Sequence, residues 1–277
     1  MEPLQPVLAL KLFPPLSQEL ITLLRSLAYD DWDRPTVCEG WSVKDITAHL
    51  LGGNLGRLGD KNEKSSRAED AAPTFEELVS LIDRSNAEWV RAARRIGRKV
   101  LIEFLDQTDQ QLYQVFKMLP LNERASVSVS WAGEIQSPNW FDIAREYTEK
   151  WLHQQHIREA VGQPVLDGRQ WLYPVLDTFM RALPYTYRFI NAAEGTLISF
   201  MLVGEAGGDW SLLRQNGKWR LFSGASAKAN SFVSMDQDTA WRLFTRGIDA
   251  DAAFPRVQIE GNQELGSGIL HLVSIMA

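Results

Sequence analysis

The sequence has little of several features that define common protein classes. It holds one cysteine in 277 residues, Cys38, so no disulfide can form within the chain and a zinc–cysteine cluster is excluded. No apolar run approaches the roughly 20 residues that span a membrane. The N-terminal stretch MEPLQPVLALKLFPPL has too little positive charge and too many prolines for a signal peptide, which predicts a cytoplasmic protein.

Charge of one sign is not concentrated anywhere in the sequence. There are 29 basic and 35 acidic residues, with a net charge of −6, and no block of like charge. Non-specific nucleic-acid binding needs a basic stripe and is therefore excluded. A hydrophobic content of 45% is ample for a packed core, and the length indicates one large domain or two modest ones.

The first two-thirds of the sequence has the periodicity of helices. Leucines three and four residues apart predict an early helix with one apolar face: Leu16, Leu20, Leu23, Leu24 and Leu27. Ser42 and Asp45 have the spacing of a capping box, which predicts the start of a helix with His49 in its second turn. The polar stretch 59–73 is predicted to be a loop, followed by a second capping box at Thr74.

The C-terminal third has a different sequence pattern. After the linker QPVLDG and a helix within 169–189, Gly-containing turns separate three β-like segments: GTLISFMLVGE, GDWSLLRQ and GKWRLFSG. Two further segments, DQDTAWRLFTRG and ELGSGILHLVSI, read as helices around the possible strand RVQIEG. The pattern predicts a helical domain over 1–163 and a small α+β domain over 164–277.

The stretch EYTEKWLHQQHIREAVG, residues 146–162, holds two of the four histidines of the chain. Glu149 and His153 are four positions apart, so on a helix their side chains lie one turn apart on the same face. Zinc and similar ions take imidazole nitrogen and carboxylate oxygen, and catalytic sites use three protein ligands. His49 on its capped helix is the natural third ligand, and His271 is a weaker candidate.

The same spacing also fits an ordinary amphipathic helix. One face would hold the apolar side chains, Trp140, Ala144, Tyr147 and Trp151. The opposite face would leave the polar ones in water, Asp142, Glu146, Glu149, His153 and His156. His49 could likewise be a half-buried histidine with ordinary hydrogen bonds. From spacing alone both interpretations stay open.

Two phrases resemble the signatures of the mycothiol-dependent maleylpyruvate isomerase family, part of the DinB-like superfamily. DDWDRPTVCEGWSVKDITAHLLG is similar to the N-terminal signature through Trp32, Pro35, Thr36, Gly40, Trp41, Ser42, Val43, Asp45, Ala48, His49 and Leu50. The second signature is similar to Glu149, His153, Ala160, Val161 and Gly162. The two lie about 100 residues apart, and the resemblance covers roughly residues 8–163.

This resemblance implies a DinB-like four-helix bundle that holds one divalent metal. Carried over residue by residue, the ligands are His49, Glu149 and His153, and zinc is the expected ion. His156 matches no family ligand and is kept in reserve. The C-terminal part resembles sterol-carrier-like α+β domains, with TAWRLFTRG and VQIEGNQELGSGIL as its best-matching phrases.

The resemblance also implies a low-molecular-weight thiol such as mycothiol as cofactor. A thiol is mostly protonated at neutral pH, and coordination to a dication gives the nucleophilic thiolate. The thiolate would add to the cis double bond of maleylpyruvate, and rotation followed by thiol loss would give the trans isomer. Transfer of the sulfur to another small electrophile fits the same residues.

A dicarboxylate substrate also requires a cationic clamp, for which arginine has the suited geometry. The family takes this arginine from its C-terminal domain, and Arg242, Arg246 and Arg256 are the candidates here. Cys38 matches no family ligand, and a lone cysteine is most often a small buried hydrophobe. His271 is interpreted as a structural residue.

A function of another class also remains open. The C-terminal domain could hold an apolar ligand, which would make the protein a non-catalytic small-molecule or lipid carrier with a structural metal or none. Neither interpretation involves a membrane or a nucleic acid as partner. The metal content of the protein and of a His49→Ala variant separates the two functions.

Overall fold

The computed structural model describes residues 1–59 and 75–274. These residues form two compact units. The helical unit comprises the described part of Ala9–Glu123 together with Glu146–Val165. The sheet unit comprises Met1–Leu8, Arg124–Arg145 and the chain from Leu166 onward. The combination of N-terminal helices with a C-terminal sheet confirms that part of the predicted fold class.

Both units are discontinuous in sequence. The prediction placed a single division between residues 163 and 164, and this division stays a prediction. The first eight residues and residues 124–145 belong to the sheet unit. The predicted loop over 59–73, apart from Gly59, and the predicted cap at Thr74 lie outside the described residues.

Long helices build the helical unit. They are α1 (Phe13–Ser26), α2 (Val43–Leu58), α3 (Phe75–Ala93), α4 (Arg98–Met118) and the part of α5 (Asn139–Ala160) that follows Arg145. Among the described helices of the chain, none combines the length and the apolar character that crossing a membrane requires.

The apolar faces of these helices meet in one core. The predicted residues Leu20, Leu23 and Leu24 of α1 belong to it, and the predicted Leu27 packs against it. Its other members include Trp32, Ile46, Leu51, Leu101, Leu105 and Ile157. Helix α3 approaches α2 closely, and the indole Nε1 of Trp89 donates to the carbonyl of Ala48 at 2.7 Å. A Cβ at Gly52 would lie 2.4 Å from the same Nε1, so only glycine allows this approach.

A buried network of polar side chains connects α2, α4 and α5. Asn54 donates to Oγ1 of Thr108 at 3.0 Å and to Oδ1 of Asp109 at 2.7 Å. The amino group of Lys150 pairs with the same carboxylate of Asp109, and both side chains are buried. We call these four residues the lysine network. Its opposite charges contact each other directly, as buried charges must.

A six-stranded mixed sheet forms the centre of the sheet unit. Its strands are β1 (Glu2–Pro3), β2 (Leu197–Val203), β3 (Gly208–Gln215), β4 (Lys218–Ser223), β5 (Ser231–Asp236) and β6 (Gln258–Gly261). They lie in the order β1-β4-β3-β2-β5-β6, where β2 and β5 are parallel and the other neighbours are antiparallel. β1 and β5 were not predicted, whereas β2, β3, β4 and β6 fall within predicted segments.

Shorter helices accompany this sheet. They are α6 (Arg169–Met180), α7 (Leu183–Thr186), α8 (Gln237–Phe244), α9 (Ala250–Ala253) and α10 (Gln263–Ser267). The core of the unit contains large aromatic side chains that are almost completely buried, among them Phe179, Phe200, Trp210, Trp241 and Phe244. The indole Nε1 of the buried Trp210 donates to Oδ1 of Asp177 at 2.9 Å.

Candidate metal centre

The start of α2 fixes the position of His49. The side chain of Ser42 accepts from the backbone N–H of Asp45, and the carboxylate of Asp45 accepts from the backbone N–H of Ser42 at 3.1 Å. This is the predicted capping box, with aspartate at its third helical position. His49 follows Asp45 by four residues, so the cap aims its side chain along the same face one turn later.

Arg94, the residue directly after α3, holds the same cap. Its Nε and Nη2 donate to the two carboxylate oxygens of Asp45 at 2.9 and 3.0 Å. Burial raises the pKa of Asp45, but the hydrogen bonds from Arg94 and Ser42 outweigh it and lower this pKa below its usual value. The cap is therefore ionised at neutral pH, with Asp45 favourably placed at a helix N-terminus.

Helix α5 presents Glu149 and His153 from the facing side. Tyr147 and Trp151 are completely buried, and the ring of Tyr147 meets Phe13 of α1 edge to face at 5.9 Å. Burial of side chains of this size stabilises the helix position by about 2–3 kcal/mol each. This apolar face was predicted.

The polar face of α5 is not in water. His153 is 9% exposed and His156 is 7% exposed, so both histidines are buried. The interpretation of this face as an ordinary solvated stripe is therefore wrong. The interpretation fails because α2 and the loop before it cover the polar side of α5. The sequence pattern of one helix does not reveal what packs against it.

The three predicted ligand side chains meet in the helical unit. Nε2 of His49 lies 3.1 Å from Oε1 of Glu149, and Nε2 of His153 lies 3.0 Å from the same oxygen. The two imidazole rings pack edge to face with centroids 4.7 Å apart. All three ligand atoms lie within 4.8 Å of one another. We call His49, Glu149 and His153 the metal cluster.

The donor set fits a divalent ion such as zinc. Tetrahedral bonds of about 2.0–2.2 Å place ligand atoms roughly 3.4 Å apart, a few tenths of an ångström more than the two measured nitrogen–oxygen distances. The imidazoles are about one-tenth exposed, whereas Glu149 is 37% exposed. Small outward shifts would therefore accommodate an ion, and Glu149 lies on the side that opens to solvent.

The pKa values of Glu149 and His153 shift so that the two side chains carry opposite charges. Burial raises the pKa of Glu149, but the rings of His153 and His49 outweigh it and hold this pKa well below its usual range. Burial lowers the pKa of His153, but the charge of Glu149 and the contact with Cys38 raise it to about 10. Without an ion, the imidazolium of His153 therefore supplies the positive charge that balances Glu149.

Cys38 and His156 border the metal cluster. Sγ of Cys38 lies 3.3 Å from Nδ1 of His156. The ring of Trp41 lies against His49, with centroids 5.1 Å apart. Sequence reasoning treated Cys38 as a small hydrophobe and held His156 in reserve, so it missed their contact. The sequence did offer a signal, because Cys38 precedes the predicted ligand His49 and His156 follows the predicted ligand His153.

The other predicted site residues belong to the sheet unit. Arg242 pairs with Asp238 at 2.9 Å and covers the ring of Trp241. Arg246 and Arg256 are exposed, and Arg246 has a positive φ of 60° just after α8. The role of these arginines as a substrate clamp stays a prediction. His271 is exposed in a short 3₁₀ turn.

Comparison with known families gives a match over the part of the chain that contains the metal cluster. The family described as mycothiol maleylpyruvate isomerase N-terminal domain matches residues 13–158, more than half of the chain. The chain belongs to this family. The matched segment includes all three residues of the metal cluster, and the family assignment confirms the resemblance found in the sequence. Among curated proteins, none matches the chain in sequence.

Solved structures share the fold of the chain. Two crystal structures of the mycothiol-dependent maleylpyruvate isomerase, one of them a mutant, match at 11% identity with a TM-score of 0.50. Each alignment covers 84% of this chain and 86% of that chain. The apo form of sterol carrier protein 2 from Yarrowia lipolytica covers 39% of this chain and 95% of its own, at 19% identity. Its TM-score of 0.28 is too low to support an inference.

Proposed function

We propose that the protein is a metal-dependent enzyme that activates a low-molecular-weight thiol such as mycothiol. Its reaction would be the cis–trans isomerisation of maleylpyruvate or the transfer of sulfur to another small electrophile. One observation carries the proposal: two imidazole nitrogens from separate helices converge on one carboxylate oxygen within the family-matched segment. The proposal includes the four-helix bundle, the sterol-carrier-like C-terminal domain and the cytoplasmic location expected from the sequence.

The metal cluster would hold a divalent ion, zinc being the best match to its two nitrogens and one oxygen. When bound, the ion would supply a Lewis-acidic position at which a thiol loses its proton at neutral pH. His49 and His153 would bind as neutral imidazoles. With one carboxylate, the set leaves a net positive charge, which favours an anionic thiolate at the open position.

The surrounding side chains orient these groups and limit access of water. The capping box and Arg94 fix the helix that carries His49, and Trp41 covers one side of its ring. On α5, the buried Tyr147 and Trp151 prevent the helix from rotating. A rigid set of ligands keeps the open position in a constant place relative to a substrate, which is what orientation contributes to catalysis.

The test combines metal analysis with a thiol-dependent assay. Wild-type protein and a His49→Ala variant are stripped with chelator, reloaded with zinc and assayed for isomerisation of maleylpyruvate with a panel of thiols. A His271→Ala variant is the matched control, since it removes a histidine outside the metal cluster. We expect the wild type and the control to bind zinc in the metal cluster and to show a thiol-dependent rate.

Mutation of a residue that only hydrogen-bonds to a metal ligand typically lowers metal affinity by about 10–100-fold. His49→Ala removes a ligand itself, so we expect a larger loss of metal affinity. Its thiol-dependent rate should fall with its metal content. Equal zinc binding by wild type and His49→Ala would refute the ligand assignment. Tight zinc binding without any thiol-dependent rate, together with retention of an apolar ligand, would favour the carrier function.

A further inference from the structure

A second group of metal-type side chains adjoins the metal cluster. Cys38, His153 and His156 each offer one ligand atom, and these atoms lie within 4.8 Å of one another. Within this group, Sγ of Cys38 lies 3.3 Å from Nδ1 of His156. Ligands of a tetrahedral zinc ion with one sulfur and one nitrogen lie roughly 3.5 Å apart. The pair is therefore already close to ligand spacing.

The backbone holds Cys38 in place. Its N–H donates to Oγ1 of Thr36 at 3.2 Å, and its carbonyl accepts from the N–H of Trp41 at 3.0 Å. Gly40 closes this turn with a φ of +75°, a conformation that glycine adopts without strain. The thiol is thus part of a fixed turn that precedes α2.

His153 supplies the observation that points to a ligand. Its Nε2 faces Glu149 in the metal cluster, which leaves Nδ1 as the nitrogen for a second contact. Nδ1 is buried and makes no hydrogen bond, and the whole residue is 9% exposed. A buried nitrogen without a partner is costly, and a bound ion would satisfy it.

We propose that Cys38, His153 and His156 form a second metal position that binds a thiophilic divalent ion such as Zn²⁺ or Cd²⁺. A thiolate with two imidazoles is a soft donor set, which selects such ions over Mg²⁺ or Ca²⁺. On binding, the thiol proton of Cys38 and the Nδ1 proton of His153 leave to solvent, and the sulfur and that nitrogen form bonds to the ion. Simultaneous occupation of both positions requires His153 to lose its second ring proton and bridge the two ions.

This second position shares His153 with the proposed function but does not depend on it. Glu149 and His49 belong only to the metal cluster, whereas Cys38 and His156 belong only to the second position. Variants of these residues therefore test the two proposals separately. Because the chain has a single cysteine, any bond between sulfur and a metal within it identifies Cys38.

The test is a titration of the metal-free full-length protein with Co²⁺, read in the near ultraviolet where thiolate-to-cobalt charge transfer absorbs. We expect the wild type to develop this band at saturation and Glu149→Gln to retain it. Cys38→Ser should lack the band while still binding Co²⁺ in the metal cluster. His156→Gln should require at least about tenfold more Co²⁺ for the same absorbance.

Two control variants and a second measurement keep the result independent of folding. Glu39→Gln changes an exposed neighbour of Cys38, and His271→Gln removes a histidine of the sheet unit; both should keep the band. In the wild type, Cd²⁺ should also slow alkylation of Cys38 by iodoacetamide, and the same protection should persist in Glu149→Gln. Absence of the band and of protection in wild type overturns the second position. Loss of the band and of the protection in Glu149→Gln would also overturn the second position, because the sulfur would then bind the ion of the metal cluster.

Discussion

Two groups of polar side chains in the helical unit, the lysine network and the metal cluster, both join α2 to α5 but are built differently. In the lysine network, one ammonium and one amide converge on the carboxylate of Asp109. In the metal cluster, two imidazoles converge on the carboxylate of Glu149, and Nδ1 of His153 is left without a hydrogen bond. The first group is a set of fixed opposite charges, although Oδ2 of Asp109 makes no hydrogen bond. The second group consists of side chains that can exchange protons for a cation.

The difference separates a role in folding from a role in binding. Lys150 carries a permanent charge and is buried with its partner, so the lysine network contributes to one packed arrangement of the helices. Imidazole can bind a proton or a metal through the same nitrogen, and Glu149 is partly exposed. We therefore expect changes in the lysine network to alter stability and changes in the metal cluster to alter metal affinity.

The largest effect on stability is expected for Lys150→Met. This change leaves the carboxylate of Asp109 buried without its cation, which typically costs 3–5 kcal/mol, or about half of the stability of many domains. Urea unfolding of the metal-free protein measures the loss. The double variant Asp109→Leu with Lys150→Met should recover much of it, because no unpaired charge then remains. A loss below about 1 kcal/mol for Lys150→Met would show that the network is not structural.

Glu149→Gln should lower zinc affinity strongly and change stability little, in contrast to Lys150→Met. Zinc affinity is expected to fall by more than about 100-fold, because a charged ligand is replaced by a neutral amide. The free energy of unfolding of the metal-free protein should change by no more than about 1–2 kcal/mol, since Glu149 is partly exposed. Calorimetric titration with zinc and urea unfolding measure the two quantities. An unchanged zinc affinity would remove the contrast between the two groups.

The pH dependence of zinc binding sharpens the same contrast. The pKa of about 10 at His153 means that the metal-free cluster holds a proton at neutral pH, which zinc must displace. Affinity should fall by about tenfold per pH unit below neutrality for each proton displaced, and the Lys150→Met variant should keep this slope. Calorimetry in buffers of different ionisation enthalpy counts the released protons. Zinc binding without proton release would contradict the assignment.

The smallest effect is expected at the cap of α2. Asp45→Asn should lower the free energy of unfolding at pH 7 by about 1 kcal/mol, as cap substitutions do. The pKa of Asp45 is lowered in the folded protein, so this stabilisation is present above the unfolded pKa of about 3.9 and is lost as pH falls through the folded pKa. The wild type and the variant should therefore converge in stability once the pH has fallen below the folded pKa of Asp45. A constant difference at all pH values would exclude this ionisation.

Much of the helical unit could be predicted from local patterns. The capping box at Ser42 and the leucine periodicity of α1 are local signals, and both appear in the structure. The convergence of His49 with Glu149 and His153 followed from the resemblance, because spacing alone left the solvated alternative open. Burial of the polar face of α5 depends on what packs against it, and a helix sequence does not contain that information.

The sheet unit shows where sequence patterns fall short. β5 has the sequence SFVSMD, in which buried and half-buried residues alternate, but it is short and lies directly before α8. β1 consists of two residues, Glu2 and Pro3, that pair with Ser223 and Phe222 of β4, far along the chain. Pairing across such a separation depends on tertiary structure rather than local propensity. The contact of Cys38 with His156 was missed for the same reason.

Anomalous diffraction at the zinc edge from crystals of the reloaded protein tests the central claim most directly. We expect a zinc peak bonded to Nε2 of His49, Nε2 of His153 and the carboxylate of Glu149, at about 2.0–2.2 Å from each ligand atom. No anomalous peak among these three side chains in fully zinc-loaded crystals would contradict it.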